Sequence, residues 1–372
     1  LKCLLIIIAT CLTVSFSSKC KVKKDISDQI YEKYASNTKS LFKVWHFIHE
    51  KQYDYNTEEG IKRYRIFKAN LKKINEHNAS DSMYTKGLNH LTDMTNEEVK
   101  AYYNLKEIDS RQFRKMFRGL RQVNFDDFND DEVDVSPRQS TQGRVKAEAW
   151  TEIDWSEKMR PVRNQGSCGS CWAFTTQSVL EGCYTAFKGK TLTDWFSTQQ
   201  LVDCDPNNGG CNGGWYEAAL KFYKTNGIVY ENDYQYKATR ATCNSAAKNT
   251  GIKVSGYQYY YKEYDYMSSK PWEMLAKGPV AVAVDANQHW FSYKSGVFDS
   301  PCSNSVNHAV TLIGFGKVSA TECEQAAEYF LIRNSWGTGW GDNGHIRIKH
   351  NEVNAESCQV EKFAFQPNGF LQ

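Results

Sequence analysis

The sequence NQGSCGSCWAF occupies residues 164–174 and supplies a thiol in a setting suited to nucleophilic chemistry. Apolar residues recur at helical spacing from Cys171 to Phe187, after a lead-in rich in glycine and serine, so a helix beginning at Cys171 is predicted. A thiol reacts as the thiolate, and the free N–H groups and positive dipole end of a helix N-terminus favour that charged form. The stretch therefore predicts a reactive cysteine followed by a helix.

Such a thiol needs a base, and the base needs a group that orients it. Two candidates lie downstream beside strand-like apolar runs, namely His308 within VNHAV (306–310) and Asn334 within NSWG (334–337). Taken singly, a histidine among apolar residues is usually a satisfied core residue and an asparagine before serine is usually a turn residue. Their joint presence with Gln165 and the thiol motif, in this order, favours a catalytic set.

These motifs resemble the papain-like cysteine peptidases over residues 149–372, and residues 38–100 resemble the inhibitory prosegment of the cathepsin L-like branch. His308 lies 137 residues after Cys171 and Asn334 lies 163 after it, against roughly 130–150 for this pair in the family. The insertion at 317–327 accounts for the excess. The resemblance implies an α+β, two-domain papain-like fold with a helical left domain and a β-barrel-like right domain, preceded by a mainly helical inhibitory prosegment.

The resemblance also implies the roles of the site residues. Cys171 is expected to be the nucleophile, His308 its general base and later acid, and Asn334 the residue that orients the imidazole. The side chain of Gln165 and the backbone N–H of Cys171 are expected to form the oxyanion hole, and Trp336 to shield the bond between His308 and Asn334 from water. No cofactor and no metal is implied.

The same resemblance places a set of residues along the substrate cleft. These are Gly213, Gly214, Trp215, Tyr216, Ala283, Asn307, Trp336 and Phe363. Glycines let an extended peptide approach closely, and the lining of the second pocket is apolar and aromatic. We therefore expect a preference for a hydrophobic residue two positions before the scissile bond. No occluding insertion or extra histidine pair is apparent, which favours an endopeptidase over an exopeptidase.

The N-terminal third carries an independent signal. Six residues of the family's interspersed prosegment motif recur at steps of three or four, which keeps them on one helix face: Glu59, Arg63, Phe67, Asn70, Ile74 and Asn78. A second prosegment motif is matched by Gly87, Asn89 and Asp93, with Leu91 where the family more often has phenylalanine. The pattern predicts a long prosegment helix, and the enzyme is expected to be a zymogen inhibited by its own prosegment.

The chain divides into three expected regions. Residues 1–17 read as a secretory signal peptide whose start is missing, 18–148 as the prosegment with a charged linker at 111–135, and 149–372 as the mature peptidase. No later stretch approaches the roughly 20 apolar residues of a membrane span. We expect a protein of the secretory pathway, lysosomal or extracellular.

Charge is nearly balanced, with 46 Lys and Arg against 43 Asp and Glu, which gives no case for nucleic-acid binding. From Ala149 onward the chain has 20 basic and 22 acidic residues, whereas the preceding part has 26 and 21. Opposite signs favour docking of the prosegment, and protonation of carboxylates weakens it, which predicts acid-triggered removal. Expected partners are protein and peptide substrates and cystatin-like inhibitors, and the enzyme is expected to be a monomer.

Nine cysteines fall in the mature region, and eight remain beside Cys171. The resemblance implies three disulfides: Cys168 with Cys211, Cys204 with Cys243, and Cys302 with Cys358. Cys183 and Cys323 are left, and the sequence does not decide whether they are free or bridged. Cys183 falls on the predicted active-site helix, where a buried thiol is favoured.

Three other functions are less consistent with the sequence. A zinc site is disfavoured, because Cys204 and Cys211 lack the short paired spacing of zinc ligands and no histidine cluster accompanies them. Cys168 and Cys171 form a C-x-x-C, which elsewhere marks thiol–disulfide oxidoreductases, but that function leaves His308 unexplained. An inactive relative acting as a binding protein is the alternative from another class, and retention of every catalytic residue type argues against it.

Overall fold

A computed structural model describes residues 26–106, 151–262, 266–267, 270–320, 325–350 and 357–371. The expected signal peptide, the charged linker at 111–135, the junction at 148–149 and Cys323 lie outside the described residues. No helix in the described part of the chain combines the length and the apolar character of a membrane span.

The N-terminal region is mainly helical, as predicted. Its elements are α1 (Ile26–Tyr34), α2 (Thr38–Ile48), α3 (Glu58–Asn78), the short strand β1 (Tyr84–Lys86) and α4 (Asn96–Tyr102). The first three helices share a small core of their own, formed by Tyr31, Leu41, Phe42, Trp45 and Phe67. Tyr84 of β1 and Val99 of α4 belong instead to the core of the sheet domain described below. The helical part of the prosegment therefore has its own core, and the chain after it packs on the mature region.

Helix α3 covers the interval predicted from the prosegment motif, and the motif residues attach it to the chain that follows. Phe67 and Ile74 are buried. Arg63 donates to the Glu98 carboxylate at 2.8 Å, and Asn70 donates to two backbone carbonyls between α3 and α4 at 2.9 Å each. The motif thus marks contacts within the prosegment, and these fix the direction in which its C-terminal part leaves α3.

The mature region begins with a helical domain. Its helices are α5 (Cys171–Lys188), α6 (Thr198–Cys204) and α7 (Tyr216–Thr225). Helix α5 is buried on all sides from Trp172 to Tyr184, and it ends at Gly189, which adopts the left-handed conformation with φ 62°. A glycine accepts this geometry without the strain a Cβ would add. The central position of α5 holds its N-terminus in place.

The second domain is a large, mostly antiparallel sheet. Its strands, with the short helix α8, are β2 (Ile153–Asp154), β3 (Lys253–Tyr261), β4 (Tyr266–Met267), α8 (Pro271–Leu275), β5 (Val280–Val284), β6 (Tyr293–Phe298), β7 (His308–Val318), β8 (Ala327–Arg333), β9 (His345–Lys349) and β10 (Phe363–Leu371). The order is β1-β6-β9-β8-β7-β5-β10-β3-β4, with β2 beside β7. Helix α5 packs on β7 and β10, so the two domains meet where α5 and β7 begin.

The prosegment contributes β1 to this sheet as an edge strand. Tyr84 pairs with Gly296 and Thr85 with Ser295, antiparallel to β6. Gly296 has φ 88°, and a Cβ there would lie 2.4 Å from the backbone oxygen of Met83. The docked prosegment therefore requires glycine at position 296, because any larger residue would meet its backbone.

Among the described residues, three disulfides stabilise the mature region, with the pairing that the resemblance implied: Cys168–Cys211, Cys204–Cys243 and Cys302–Cys358. Cys183 is a free cysteine, fully buried within α5, and its thiol lies 3.3 Å from the backbone oxygen of Pro279. It packs as a small apolar residue.

Candidate active site

Cys171 is the first residue of α5, as the sequence predicted. The Cys168–Cys211 disulfide fastens the loop that leads into it. That bond engages Cys168, so the C-x-x-C does not form the internal disulfide of an oxidoreductase, and Cys171 is a free thiol. The backbone N–H of Ala309 hydrogen-bonds to its sulfur. Because Ala309 directly follows His308, the thiol lies beside the imidazole-bearing end of β7.

His308 and Asn334 meet because β7 and β8 are antiparallel neighbours, one beginning at His308 and the other ending at Arg333. His308 Nε2 lies 2.8 Å from Asn334 Oδ1, which also accepts the backbone N–H of Ser335 at 2.8 Å. An atom that accepts a backbone N–H is the amide oxygen, so Nε2 carries the proton. Nδ1 is then left without a partner among the described residues, and it can take a proton from the thiol.

Trp336 covers this pair. Its side chain is fully buried, and its ring centroid lies 5.1 Å from that of His308. Water is therefore kept from the bond between His308 and Asn334, which strengthens the bond because the local dielectric is low.

Burial shifts both the Cys171 thiol and the His308 imidazole toward their neutral forms. Cys171 is partly exposed, but the protein around it raises the pKa of its thiol, while backbone N–H groups oppose that shift. Burial also lowers the pKa of His308 to about 4, against the opposing effect of its bond to Asn334. With the prosegment docked, desolvation thus disfavours the thiolate and the imidazolium.

Gln165 is fully buried beside the loop of Cys171. Its Nε2 donates to the backbone oxygen of Cys168 at 3.0 Å, and its Oε1 accepts the hydroxyl of Ser335 at 2.6 Å. The first bond fixes the amide orientation, because a backbone oxygen can only accept and must face the amide nitrogen, and the Ser335 hydroxyl is then the donor to Oε1. Nε2 has a second hydrogen, which can point to a substrate oxygen beside the Cys171 N–H.

Most of the residues expected along the cleft lie near His308, in an apolar cluster and beside the loop after β5. Trp215, Tyr216, Ala283 and Phe363 belong to one apolar cluster, in which the Trp215 and Phe363 rings meet edge to face at 5.6 Å. Ala283 pairs with Ala309 across β5 and β7, so this cluster adjoins the histidine. Asn307 is tied to the loop after β5, since its Nδ2 donates to Asp285 and its Oδ1 accepts from Ala286.

Gly213 and Gly214 lie on the helical side of the cleft, before α7. Gly213 has φ 107°, and a Cβ on Gly214 would lie 2.4 Å from Asn208 Oδ1 and 2.7 Å from the Trp172 ring. Position 214 therefore admits only glycine without movement of the wall.

Prosegment residues after α4 lie across the site, which sequence reasoning did not find. Tyr103 is fully buried and stacks on Trp336, with ring centroids 4.5 Å apart and planes at 8°. Asn104, at φ 52°, donates through Nδ2 to the backbone oxygen of Cys211 at 3.3 Å and lies against Gly169. The prosegment therefore passes from the Trp336 side of the thiol to the Cys211 side.

Known proteins share this architecture. The family model for "Papain family cysteine protease" matches residues 149–368, and that for "Cathepsin propeptide inhibitor domain (I29)" matches residues 42–99. Papain from Carica papaya is 35% identical over 334 residues, which cover 88% of this chain and 86% of papain. Chymopapain from the same plant is 34% identical, with the same coverage of both chains.

Solved proenzymes extend the likeness to the prosegment. The recombinant stem bromelain precursor superposes with a TM-score of 0.70 at 31% identity, covering 89% of this chain and 98% of that one. Digestive procathepsin L 3 of Tenebrio molitor larval midgut gives 0.68 at 29% identity, covering 89% and 99%.

The fold, the site and these similarities define the zymogen of a cysteine protease, with a propeptide inhibitor domain before the protease domain. The chain belongs to the papain family of cysteine proteases. The expected α+β papain-like fold and the expected inhibitory prosegment are confirmed.

Proposed function

We propose that Cys171, His308, Asn334 and Gln165 carry out peptide-bond hydrolysis by acyl transfer. The bond from His308 Nε2 to Asn334 Oδ1 is the observation that carries this proposal, because it leaves Nδ1 as the base next to the thiol. Once the prosegment leaves, water and the helix N-terminus favour the thiolate, and the proton passes to the imidazole.

The thiolate then attacks the peptide carbonyl. Negative charge develops on the carbonyl oxygen, which the Cys171 N–H and the free hydrogen of Gln165 Nε2 stabilise. A donor in such a hole contributes about 3 kcal/mol to lowering the barrier. His308 protonates the leaving amine, the C–N bond breaks, and the same imidazole then activates water to hydrolyse the thioester.

The direction of the prosegment in the cleft explains why it inhibits without being cut. The roles proposed above place the leaving group of a substrate near His308, which protonates it, and we propose that the N-terminal part of the substrate lies along Gly213 and Gly214. Tyr103 and Asn104 run the opposite way, from Trp336 toward Cys211. Their peptide bond therefore presents its carbonyl in the wrong orientation for attack.

We propose that acid releases this prosegment. His90 Nε2 lies 2.8 Å from the Tyr103 hydroxyl, and burial, with the positive charges of His49 and Lys51, lowers the pKa of His90 to about 3. Burial and Lys51 also lower the pKa of His49 to about 4, against the opposing carboxylate of Asp93. A prosegment that has left the cleft and unfolded takes up these protons near pH 6.5, so the folded, docked form is most stable above that pH and loses stability as the pH falls.

The carboxylate of Glu98 also favours release of the prosegment at low pH. Burial works to raise the pKa of Glu98, but the backbone N–H of Thr95 and the side chain of Arg63 outweigh it, and the pKa of Glu98 is lowered. The ionised form thus fastens α4 to α3 at neutral pH, and that contribution is lost when acid protonates it.

The enzyme is proposed to be an endopeptidase with a hydrophobic preference two residues before the scissile bond, because Trp215, Tyr216, Ala283 and Phe363 form an apolar cluster beside the histidine. We further propose a signal at 1–17, a prosegment at 18–148 and a mature enzyme at 149–372. It would act as a monomer in a lysosome or outside the cell, open to cystatin-like inhibitors. The three disulfides among the described residues suit a protein that folds in the oxidising secretory pathway.

The test is hydrolysis of a fluorogenic peptide library after acidification of the full-length zymogen with reductant, beside a Cys171→Ala control. We expect activity that rises as the prosegment is lost, is highest on peptides with a hydrophobic penultimate residue, and is absent from the control. A correctly processed but inert protein would indicate a binding protein instead. A preference for an acidic or basic penultimate residue would contradict the pocket assignment alone.

A further inference from the structure

The hydroxyl of Tyr236 joins the two backbone segments that would hold the oxyanion donors. It lies 2.7 Å from the backbone oxygen of Gln165 and 2.6 Å from Ser170 Oγ. A carbonyl oxygen can only accept, so the single phenol hydrogen is directed at Gln165. The Ser170 hydroxyl must then donate to the phenol oxygen, and both bonds have a fixed direction.

Ser170 occupies the N-cap of α5 but does not use its side chain as a cap. Serine at this position usually accepts an N–H of the first turn through its hydroxyl oxygen. Here the N–H groups of Ala173 and Phe174 donate instead to the Ser170 backbone oxygen, at 2.9 and 3.0 Å. The Ser170 hydroxyl is therefore committed to Tyr236, and it does not cap the first turn of the helix that begins at Cys171.

Tyr236 is itself well fixed. Its backbone N–H donates to Glu231 Oε1 at 2.7 Å, and Glu231 pairs through its other oxygen with Arg163 at 3.3 Å. Its ring meets the Phe174 ring edge to face, with centroids 4.8 Å apart. Since Phe174 lies in the first turn of α5, the phenol and the start of the helix move together.

We propose that Tyr236 is a positioning residue for the oxyanion hole. Its hydroxyl bonds to Gln165, whose side chain is one donor, and to Ser170, which directly precedes the second donor, the Cys171 N–H. In this way it sets the separation between the two donors. The inference rests on the catalytic roles proposed above, and it adds a group that touches neither substrate nor thiol. Small displacements of such donors are costly, because a misplacement of about 1 Å can reduce a rate about 100-fold.

The test compares Tyr236→Phe with Tyr234→Phe in the acid-activated enzyme. Tyr234 is a matched control in the same segment, since its hydroxyl donates to Asp203 Oδ2 at 2.7 Å, away from the oxyanion donors. For Tyr236→Phe we expect kcat on a fluorogenic peptide to fall about 10-fold, on the scale of a weakened oxyanion donor, with KM changed less than about twofold. The control is expected to stay within about twofold of the wild type.

Two reagents separate the oxyanion hole from the nucleophile. The Cys171 thiol adds across the C=O bond of a peptide aldehyde, and the resulting oxygen lies in the oxyanion hole. The affinity of Tyr236→Phe for the aldehyde should therefore fall together with its kcat. Iodoacetamide forms a C–S bond with loss of iodide and creates no oxyanion, so its rate of alkylating Cys171 should be unchanged. An equal loss of alkylation, or an unchanged aldehyde affinity, would overturn the proposal.

Failure of the wild type to hydrolyse any peptide would refute the proposed function. An active wild type with a fully active Tyr236→Phe variant would refute the positioning role alone. If Tyr236→Phe does not fold, Ser170→Ala decides, because it removes the other end of the bridge: a selective loss of kcat and aldehyde affinity supports the proposal, and unchanged kinetics refute it.

Discussion

Replacing Tyr103 by alanine should open the zymogen without touching the catalytic groups. The side chain is fully buried, stacks on Trp336 and shares a hydrogen bond with His90. Truncating a buried aromatic residue costs about 3–5 kcal/mol, a value that contains the stacking contribution. If about 3 kcal/mol of this falls on docking of the prosegment, the fraction of molecules with an open cleft rises about 100-fold.

The assay is the rate at which a thiol-directed epoxide probe labels Cys171 in the intact zymogen at neutral pH. When opening is faster than labelling, this rate is proportional to the open fraction, so Tyr103→Ala should label about 100-fold faster than the wild type. Tyr102→Ala is the matched control, because its ring is only partly buried, and it should label within a few-fold of the wild type. Equal labelling of Tyr103→Ala and wild type, with both prosegments intact, would refute the idea that this residue closes the cleft.

Three further outcomes are expected. His90→Gln keeps a polar group beside Tyr103 but cannot be protonated, so the midpoint pH of prosegment release should fall; prosegment cleavage is measured as a function of pH, and an unchanged midpoint would mean that His90 does not contribute to acid release. Gly214→Ala forces a methyl group to 2.7 Å from the Trp172 ring, so KM for peptides should rise several-fold and the thermal midpoint should fall; wild-type values for both would contradict the packing argument. Replacing Cys302 and Cys358 by alanine opens a loop spanning 56 residues, which should lower the free energy of unfolding in urea by about 2–4 kcal/mol, and no change would mean that the loop is held by its other contacts.

The proposed catalytic set could be predicted from the sequence because the proposed chemistry restricts each position to one residue type. A thiol at a helix start, a histidine and an amide beside strands are readable as motifs, and the antiparallel pairing of β7 and β8 then brings His308 and Asn334 together. The prosegment helix was equally readable, since its motif residues make the contacts that give α3 its periodicity.

Other parts of the site carry no such signal. The chain has 22 tyrosines, and no sequence motif distinguishes Tyr103 or Tyr236 from the others. What distinguishes them is a long-range contact, of Tyr103 with Trp336 and of Tyr236 with Gln165. Periodicity reports which face of an element is buried but not which distant residue it meets. Leu91 illustrates the converse, because it departs from the prosegment motif yet is only 3% exposed, so an apolar side chain of similar bulk meets the packing requirement.

The pairing of β1 with β6 has a consequence for the enzyme after maturation. Loss of the prosegment uncovers the backbone N–H and C=O groups of Tyr293 to Gly296, which become a bare edge of the sheet. Such an edge can recruit a foreign strand, whether from a protein substrate or from another copy of the enzyme. Lys294 stands on this edge and pairs with Asp28 while the prosegment is in place, and a lysine on a sheet edge discourages such aggregation. The prosegment thus acts as a temporary cover for a surface that the mature enzyme must keep soluble by charge.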